Sequence, residues 1–300
     1  MSATATEVSQ RRVRDRWRRP SLLSVLTWSY VTWSIVPVVI AIAFSFNAGR
    51  SRTSWQGVSL RWWVGSRIAA ESLWYNPELR TALVHSLRLA GLTMLIAVPL
   101  GVLFAIGMDR WRGRLPAAAG FTMLLSFIVP EIILAIALFL AFTFLLRNVI
   151  ALGTTSQVIG LSIQQLPYPY IVVRARLMMI GKDYEEAGMD LGCTPTQAVR
   201  RVLLPLLSPA VFAGAVLVFA NSIDDFVTVR YLSGLASTEP LSVKVYNAAR
   251  GAPVPAVNAA VSLMLFASLA VAGLAYVVYR FTHRQPPGEG IGDLGSAAGL

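Results

Sequence analysis

The stretch from Asp183 to Pro209 decides the fold and reads Asp-Tyr-Glu-Glu-Ala-Gly-Met-Asp-Leu-Gly-Cys-Thr-Pro-Thr-Gln-Ala-Val-Arg-Arg-Val-Leu-Leu-Pro-Leu-Leu-Ser-Pro. It is a polar island between long apolar segments. Asp183 and Glu186 have the spacing of a capping box, which predicts a short helix that begins at Tyr184. Gly192 favours the left-handed conformation that ends such a helix.

The second half of the island predicts another helix. Thr194, Pro195 and Gln197 have the character of N-cap, N1 and N3 residues. Leu204-Pro205 is predicted to stop this helix, and Ser208-Pro209 to open a third. The pattern therefore predicts a rigid helix–turn–helix module, with an ordinary polar loop between membrane helices as the alternative.

The spacing within this module resembles a known signature. Glu186-Ala187-Gly188, three residues, Gly192, nine residues and Val202-x-Leu204-Pro205 resemble the "EAA" signature of ABC importer permeases. The chain departs from that signature in Gly188, where the family has Ala, and in Val202, where it has Ile. The resemblance implies a coupling helix that docks into a groove on a cytoplasmic ATPase subunit. The residues assigned to this coupling are Glu185, Glu186, Ala187, Gly188, Leu191, Gly192 and Pro205.

Length and composition indicate an all-α membrane protein. Of 300 residues, 55% are hydrophobic and 14% are charged. The apolar content falls in runs of about 18 residues or more, which is the length that crosses a hydrocarbon core. The sequence predicts six transmembrane helices, at about Ser21–Phe46, Leu83–Met108, Leu115–Leu146, Val158–Val173, Pro209–Phe226 and Ala256–Phe281.

Several chemistries are excluded by what the sequence contains. Cys193 is the one cysteine and implies no disulfide, and His85 and His283 are too few for a histidine metal cluster. No glycine-rich phosphate loop surrounds Lys182 or any other lysine. We therefore expect no cofactor and no catalytic residue in this chain, with ATP and Mg used by a partner ATPase.

The chain divides into three parts by composition. Residues 1–20 form a basic arm with six arginines, residues 21–284 form the permease domain with the coupling module at 181–205, and the Gly/Pro-rich tail 285–300 is predicted to be flexible. The arm and first apolar run also resemble a signal peptide with an Ala41-Ile-Ala43 cleavage site. The run is long for that purpose, which favours an uncleaved span.

The distribution of Lys and Arg predicts the topology. Segments on the side of the termini and coupling module hold 16 of these residues, against 9 in the opposite loops. This asymmetry places both termini and the module in the cytoplasm, and 47–81 and 227–255 outside. The formal charge of +11 thus has a topological explanation, and nucleic-acid binding is not needed. In the first external segment, tryptophans serve as an interfacial belt or as a small core: Trp55, Trp62, Trp63 and Trp74.

Carboxylates interrupt the apolar runs at two places. Glu131 follows Pro130 within the third span, and Asp224 and Asp225 end the fifth. A carboxylate at the bilayer centre costs at least ~2.5–3.5 kcal/mol, so we expect these groups to face a cavity or a partner, for which Arg88 is a candidate. Either they hold helices together, or they line a path for a cationic solute.

Five short segments, two of which contain these carboxylates, resemble one branch of the permease family. Asn221-Ser-Ile-Asp-Asp-Phe-Val, Leu232–Gly234, Pro240-Leu-Ser-Val-Lys-Val-Tyr246, Pro255-Ala-Val-Asn258 and Pro130-Glu131 are similar to spermidine/putrescine permeases, although branches for iron, sulfate or phosphonates share parts of them. The resemblance implies a subunit of a bacterial inner-membrane importer that moves polyamines by alternating access. It also implies a second, related permease, a dimer of ATP-binding subunits and an external solute-binding protein.

Two other classes of membrane protein fit the sequence less well than an importer. An intramembrane enzyme would need catalytic polar groups, and the chain offers only the three carboxylates. A stand-alone channel would have no use for a capped helix–turn–helix on its cytoplasmic side. Among importers, one for another small solute, such as an amino-acid derivative, a phosphonate or iron, remains the alternative.

Overall fold

The computed structural model describes residues 21–51, 54–65, 72–111, 114–250 and 255–282. The predicted arm at 1–20, the tail at 285–300 and His283 lie outside the described residues. Regular structure in the described ranges is helical, apart from one isolated antiparallel bridge between Asn47 and Val58.

Thirteen α-helices follow in chain order through the described ranges. They are α1 (Ser21–Ser45), α2 (Arg61–Val64), α3 (Pro77–Arg110), α4 (Arg114–Ile128), α5 (Glu131–Leu140), α6 (Thr154–Gln165), α7 (Pro167–Ile180), α8 (Asp183–Asp190), α9 (Pro195–Ala198), α10 (Leu204–Asp224), α11 (Val227–Leu232), α12 (Leu241–Arg250) and α13 (Pro255–Thr282). Two π-helical turns, Ala141–Leu145 and Val199–Leu203, and one 3₁₀ turn, Ala236–Thr238, complete them.

The centre of the molecule is the contact of α3 with α7 and α10. The buried face of α3 carries small residues one turn apart, Ala97, Gly101 and Ala105, which let another helix approach closely. Pro169 of α7 lies between Gly101 and Gly214 of α10. A β-carbon at Gly101 would lie 2.6 Å from Pro169 Cγ, and one at Gly214 would lie 3.1 Å from Pro169 Cα. The three helices therefore meet at a point where Gly101 has no room for a side chain and Gly214 has room for one only if Pro169 shifts by a few tenths of an ångström.

The prediction of six transmembrane helices is confirmed only in part. Four described helices are long and apolar enough to cross a membrane: Leu22–Ser45, Pro77–Arg110, Pro195–Asp224 and Ala256–Val277. A fifth candidate is the pair Ala118–Ile128 and Glu131–Leu145, which is bent by 107°.

The predicted third and fourth spans are each divided into two helices and are not single continuous helices. At Val129–Pro130 the chain turns sharply between α4 and α5, because proline disfavours the helical conformation of the residue before it. The predicted span Val158–Val173 is divided at Leu166 into α6 and α7, of 12 and 14 residues. Each of these helices alone is shorter than the roughly 20 residues that a membrane crossing needs.

The predicted helix breaks at Pro205 and Pro209 were wrong. The helical segment runs from Pro195 to Asp224, through a π turn whose Leu204 amide donates to Val199 O. Pro209 cannot donate to the carbonyl of Pro205, and the Ser208 hydroxyl donates to it instead, at 2.8 Å. The fifth span thus begins at the coupling module, because the lost amide bonds are replaced locally.

The segment before α3, predicted to be external, forms a small core around one tryptophan. Trp62 is fully buried, and its indole Nε1 donates to Asn47 O at 2.7 Å. Trp63 stacks on Phe46, with ring centroids 5.3 Å apart. Trp55 and Trp74 are exposed. Trp62 and Trp63 therefore belong to a small core, whereas the exposure of Trp55 and Trp74 suits an interfacial belt.

Candidate functional site

Two regions contain the residues singled out in the sequence, and they lie at opposite ends of α3. Arg110, the last residue of α3, reaches the coupling module. Near the other end, Ser86 Oγ accepts a hydrogen bond of 2.9 Å from the Leu241 amide, which belongs to the segment after α10. The 24 helical residues between these contacts span about 36 Å.

The predicted coupling helix corresponds to α8, which begins one residue before the predicted position. Lys182 precedes it, and the Lys182 carbonyl accepts from the amides of Glu185 and Glu186. The predicted Asp183 capping box does not form, because Asp183 is already within the helix. Gly181, with φ of +73°, turns the chain directly from α7 into α8. The positive φ of Gly181 was not predicted.

The end of α8 follows the local sequence chemistry. Gly192 has φ of +89° and its amide donates to Met189 O, while the Cys193 amide donates to Gly188 O. These two bonds are the pair that defines a Schellman motif. Thr194 and Gln197 then form the predicted capping box at the start of α9.

The coupling residues divide into an inner and an outer set. Glu185 is buried, and its carboxylate pairs with the Arg110 guanidinium, which also holds Asp109 at 2.7 Å. Gly188 is buried against Val202 and Ala198. The remaining members of the predicted set are exposed: Glu186, Ala187, Leu191, Gly192 and Pro205.

At the far end, α5 packs on α11 and brings two predicted carboxylates together. Glu131 is exposed in the first turn of α5. Asp225 is buried and faces the carboxyl group of Glu131. The Val229 amide donates to Asp225 Oδ1 at 3.2 Å, and Ser242 Oγ donates to the Asp225 carbonyl at 2.7 Å. Asp225 is thereby fixed at the junction of α10, α11 and α12.

The other two charges predicted for this group are placed apart. Asp224 is exposed at the end of α10. Arg88 is exposed on α3 and, among the described ion pairs, contacts none of the three carboxylates. The predicted Arg88 partnership is therefore absent from the described residues.

A cavity of about 630 Å³ is lined in part by Ile132 and Phe226, the residues that follow the two facing carboxylates in the chain. We call it the α11 cavity; its wall includes Phe226, Arg230, Tyr231, Glu239 and Tyr246. The rings of Phe226 and Tyr246 lie 4.5 Å apart, so this wall is aromatic as well as charged. Arg230 and Glu239 were not predicted, since nothing in their spacing marks them.

A buried glutamine holds the segment that lines the α11 cavity. Gln157 of α6 is fully buried, and its amide nitrogen lies 2.9–3.2 Å from Val229 O, Ser233 Oγ and Thr238 O. Its Oε1 lies 3.0 Å from His85 Nε2. Because a buried amide without partners is costly, these contacts fix α11 and the turn after it on α3 and α6. Gln157 is one of three glutamines in α6, so the sequence did not single it out for this role.

Comparisons with known proteins agree with the helical architecture. Residues 97–287 match the family model of the binding-protein-dependent transport system inner membrane component. The chain is 31% identical over 245 residues to the spermidine/putrescine transport system permease protein PotC of Haemophilus influenzae, covering 82% of this chain and 91% of that protein. It is also 30% identical over 256 residues to the molybdenum transport system permease protein ModB of Mycobacterium bovis, covering 81% and 92%. Among solved structures, a chain of a bacterial ABC transporter for the acidic polysaccharide alginate superposes with a TM-score of 0.67 at 17% identity, over 88% of this chain and 96% of that one.

Proposed function

The chain belongs to the family of binding-protein-dependent transport system inner membrane components, and we propose from this premise that it imports polyamines. Membership makes it a multi-pass inner-membrane permease of an ABC importer, a transport subunit and not an enzyme. The choice of a polyamine among possible solutes is the proposal.

We propose that the chain crosses the membrane six times, with both termini in the cytoplasm. The bent pair α4 and α5 would form one span, and α6 with α7 another. A second related permease, two ATP-binding subunits and an external solute-binding protein would complete the importer. The apolar face of α1 supports a lipid or permease neighbour, because its side chains from Leu22 to Tyr30 are exposed.

Coupling would begin at the exposed face of α8. Tyr184, Ala187 and Leu191 are exposed there and offer an apolar surface to a groove on the ATPase, with Glu186 beside them. The helix is joined to α7 through Gly181, to α9 and α10 through the Schellman turn, and to α3 through Arg110. A displacement of α8 would therefore move all three central helices together and reach the α11 cavity at their far end.

The observation that carries the polyamine proposal is the pair of facing carboxyl groups beside an aromatic cavity. Polyamines carry ammonium groups on short alkyl spacers. Carboxylate oxygens of Glu131 and Asp225 replace water lost by an ammonium group, and aromatic faces such as that of Tyr231 attract cations by about 0.5–2 kcal/mol. Aromatic side chains line the α11 cavity, and the residues that follow Glu131 and Asp225 in the chain, Ile132 and Phe226, belong to its wall.

A second candidate solute is an oxyanion. The similarity to a molybdenum permease supports it, and so do two basic residues, Arg230 and Lys244, near the cavity. Both cations, however, already contact Glu239. An anion would also meet Glu131 and Asp225, so the local charge favours a cationic solute.

The experiment uses the complete importer with its receptor and compares Glu131→Gln, Asp225→Asn and Asp224→Asn. If the facing pair binds the solute, spermidine uptake falls about tenfold in the first two variants, which is a loss of about 1.4 kcal/mol. Asp224→Asn is the matched control, since Asp224 is exposed and does not face Glu131, and we expect a smaller loss. Membrane abundance is measured in parallel.

Two results would contradict this role. Loss of abundance before loss of uptake would show that the pair is a scaffold, since an unpaired buried partner destabilises the fold. Absence of spermidine and putrescine uptake in the unmodified complex, with molybdate uptake present, would replace the polyamine assignment by the oxyanion one.

A further inference from the structure

One ion pair lies within the wall of the α11 cavity. Arg230 Nη1 is 2.9 Å from Glu239 Oε1, and both residues line the cavity. The Arg230 side chain is 47% exposed and that of Glu239 only 16% exposed. The guanidinium is therefore on the open side of this pair, and the carboxylate on the closed side.

Glu239 has a second cation on its other oxygen. Lys244 Nζ lies 3.5 Å from Glu239 Oε2 and 3.5 Å from Glu78 Oε2. A buried carboxylate that loses its only counter-charge is strongly destabilised. Because Lys244 stays on Oε2, Glu239 would keep a counter-charge if Arg230 left Oε1.

The surroundings of Oε1 suit a different cation of the same charge. A primary ammonium and a guanidinium both carry one positive charge and donate N–H bonds to a carboxylate oxygen. The aromatic side chains Phe226 and Tyr231 line the same cavity and can accept a cation on their faces, as the Tyr246 ring does with the Arg250 guanidinium at 4.6 Å. Ile132 and Phe226, which follow Glu131 and Asp225 in the chain, also belong to the lining.

We propose, on the basis of the polyamine function above, that Arg230 is a resident cation that occupies Glu239 until an ammonium group of the solute displaces it. The exchange forms and breaks only an ion pair, and the charge at Glu239 is the same before and after. A solute with one ammonium group satisfies the Glu131–Asp225 pair and leaves Arg230 in place. A solute with two or more ammonium groups also forms an ion pair with Glu239. Arg230 therefore acts as a specificity-determining residue for polyamines over monoamines.

The experiment measures spermidine uptake by the complete importer in proteoliposomes, with unmodified protein, Arg230→Gln and Arg147→Gln. Removing the competing cation lowers the KM of Arg230→Gln about fivefold, as expected for a half-exposed ion pair. Butylamine, a monoamine, becomes a stronger competitor in this variant. Millimolar guanidinium ion, which replaces the missing side chain, raises the KM of Arg230→Gln again and has little effect on the unmodified protein.

Arg147→Gln is the matched control for net charge. Arg147 is exposed and lines a neighbouring groove that shares Gly234 and Leu235 with the α11 cavity. An equal fall of KM in both variants would overturn the proposal, because it would show a general effect of charge. An unchanged or higher KM in Arg230→Gln at normal membrane abundance would also overturn it. That result would mean that Arg230 only holds Glu239 in position. Failure of the unmodified complex to take up spermidine would instead refute the polyamine function.

Discussion

Two glycines in the coupling module differ in whether their backbone conformation requires glycine. Gly192 has a positive φ that ends α8, and a side chain there would be strained. Gly188 is inside the helix, and a β-carbon there would lie 3.4 Å from Val202 Cγ2, an ordinary contact. The departure of Gly188 from the family signature is therefore a loss of helix propensity and not an adaptation to a crowded position.

The same substitution at these two glycines is expected to have opposite effects. Gly188→Ala removes the conformational freedom of glycine within a helix and stabilises the fold by about 0.5–1 kcal/mol. Gly192→Ala places a side chain in the left-handed region and destabilises it by roughly 1 kcal/mol or more. The thermal midpoint of the purified complex and its transport-linked ATP hydrolysis provide the measurements.

Each glycine variant serves as the control for the other. We expect Gly188→Ala to keep transport and Gly192→Ala to reduce it. A lower midpoint for Gly188→Ala would show that α8 needs closer packing on Val202 than the structure provides.

At the scale of elements, local chemistry predicted the ends of helices better than their continuity. Gly192 and the Thr194 capping box act through neighbouring backbone groups, so their roles are readable from spacing. Pro205 and Pro209 were expected to break the helix, but a π turn and the Ser208 hydroxyl replace the missing bonds. In a membrane, a helix that keeps its backbone bonds is strongly favoured over a break, and this requirement overrides local propensity.

The ion pair between Arg110 and Glu185 connects α3 to α8. Arg110→Gln removes the one cation that pairs with buried Glu185 among the described residues, whereas Glu185→Gln leaves Arg110 with Asp109. We therefore expect Arg110→Gln to be the more destabilising single variant. The double variant should be less harmful than Arg110→Gln alone, with a coupling energy of roughly 0.5–3 kcal/mol.

Glu186→Gln distinguishes positioning from docking in the same series. Glu186 is exposed beside the Tyr184–Ala187–Leu191 face, so its variant should keep the thermal midpoint but weaken binding of the ATPase subunit. Additive effects of Arg110→Gln and Glu185→Gln would show that the ion pair does not hold α8 on α3.

At the scale of the whole molecule, the contacts that build the two regions join distant parts of the chain. Glu131 and Asp225 were predicted as possible path residues, but their meeting depends on α5 packing against α11, which no local spacing reveals. Arg230, Glu239 and Gln157 were missed for the same reason. Sequence patterns could predict the helix–turn–helix of the coupling module because its residues are continuous in the chain, whereas the sequence indicated a possible solute path only through its costly charges.

The predicted orientation can be tested on the whole chain. In a Cys193→Ser background, which removes the single native cysteine, single cysteines replace Ser59 and Ser296. The basic residues on the side of the coupling module predict that an impermeant thiol reagent added to intact cells labels position 59 and not position 296. Labelling of position 296 from outside would contradict the cytoplasmic location of the C-terminal tail.

Pro169, held between Gly101 and Gly214, makes its own position and that of Gly101 dependent on one another in evolution. A lineage that keeps the proline has no room for alanine at Gly101, because the added β-carbon would lie 2.6 Å from the ring. A lineage that replaces the proline by a smaller residue loses this restriction. Among homologous chains, Gly101 should therefore change only together with, or after, the proline, and chains with proline and alanine at these two positions should be missing.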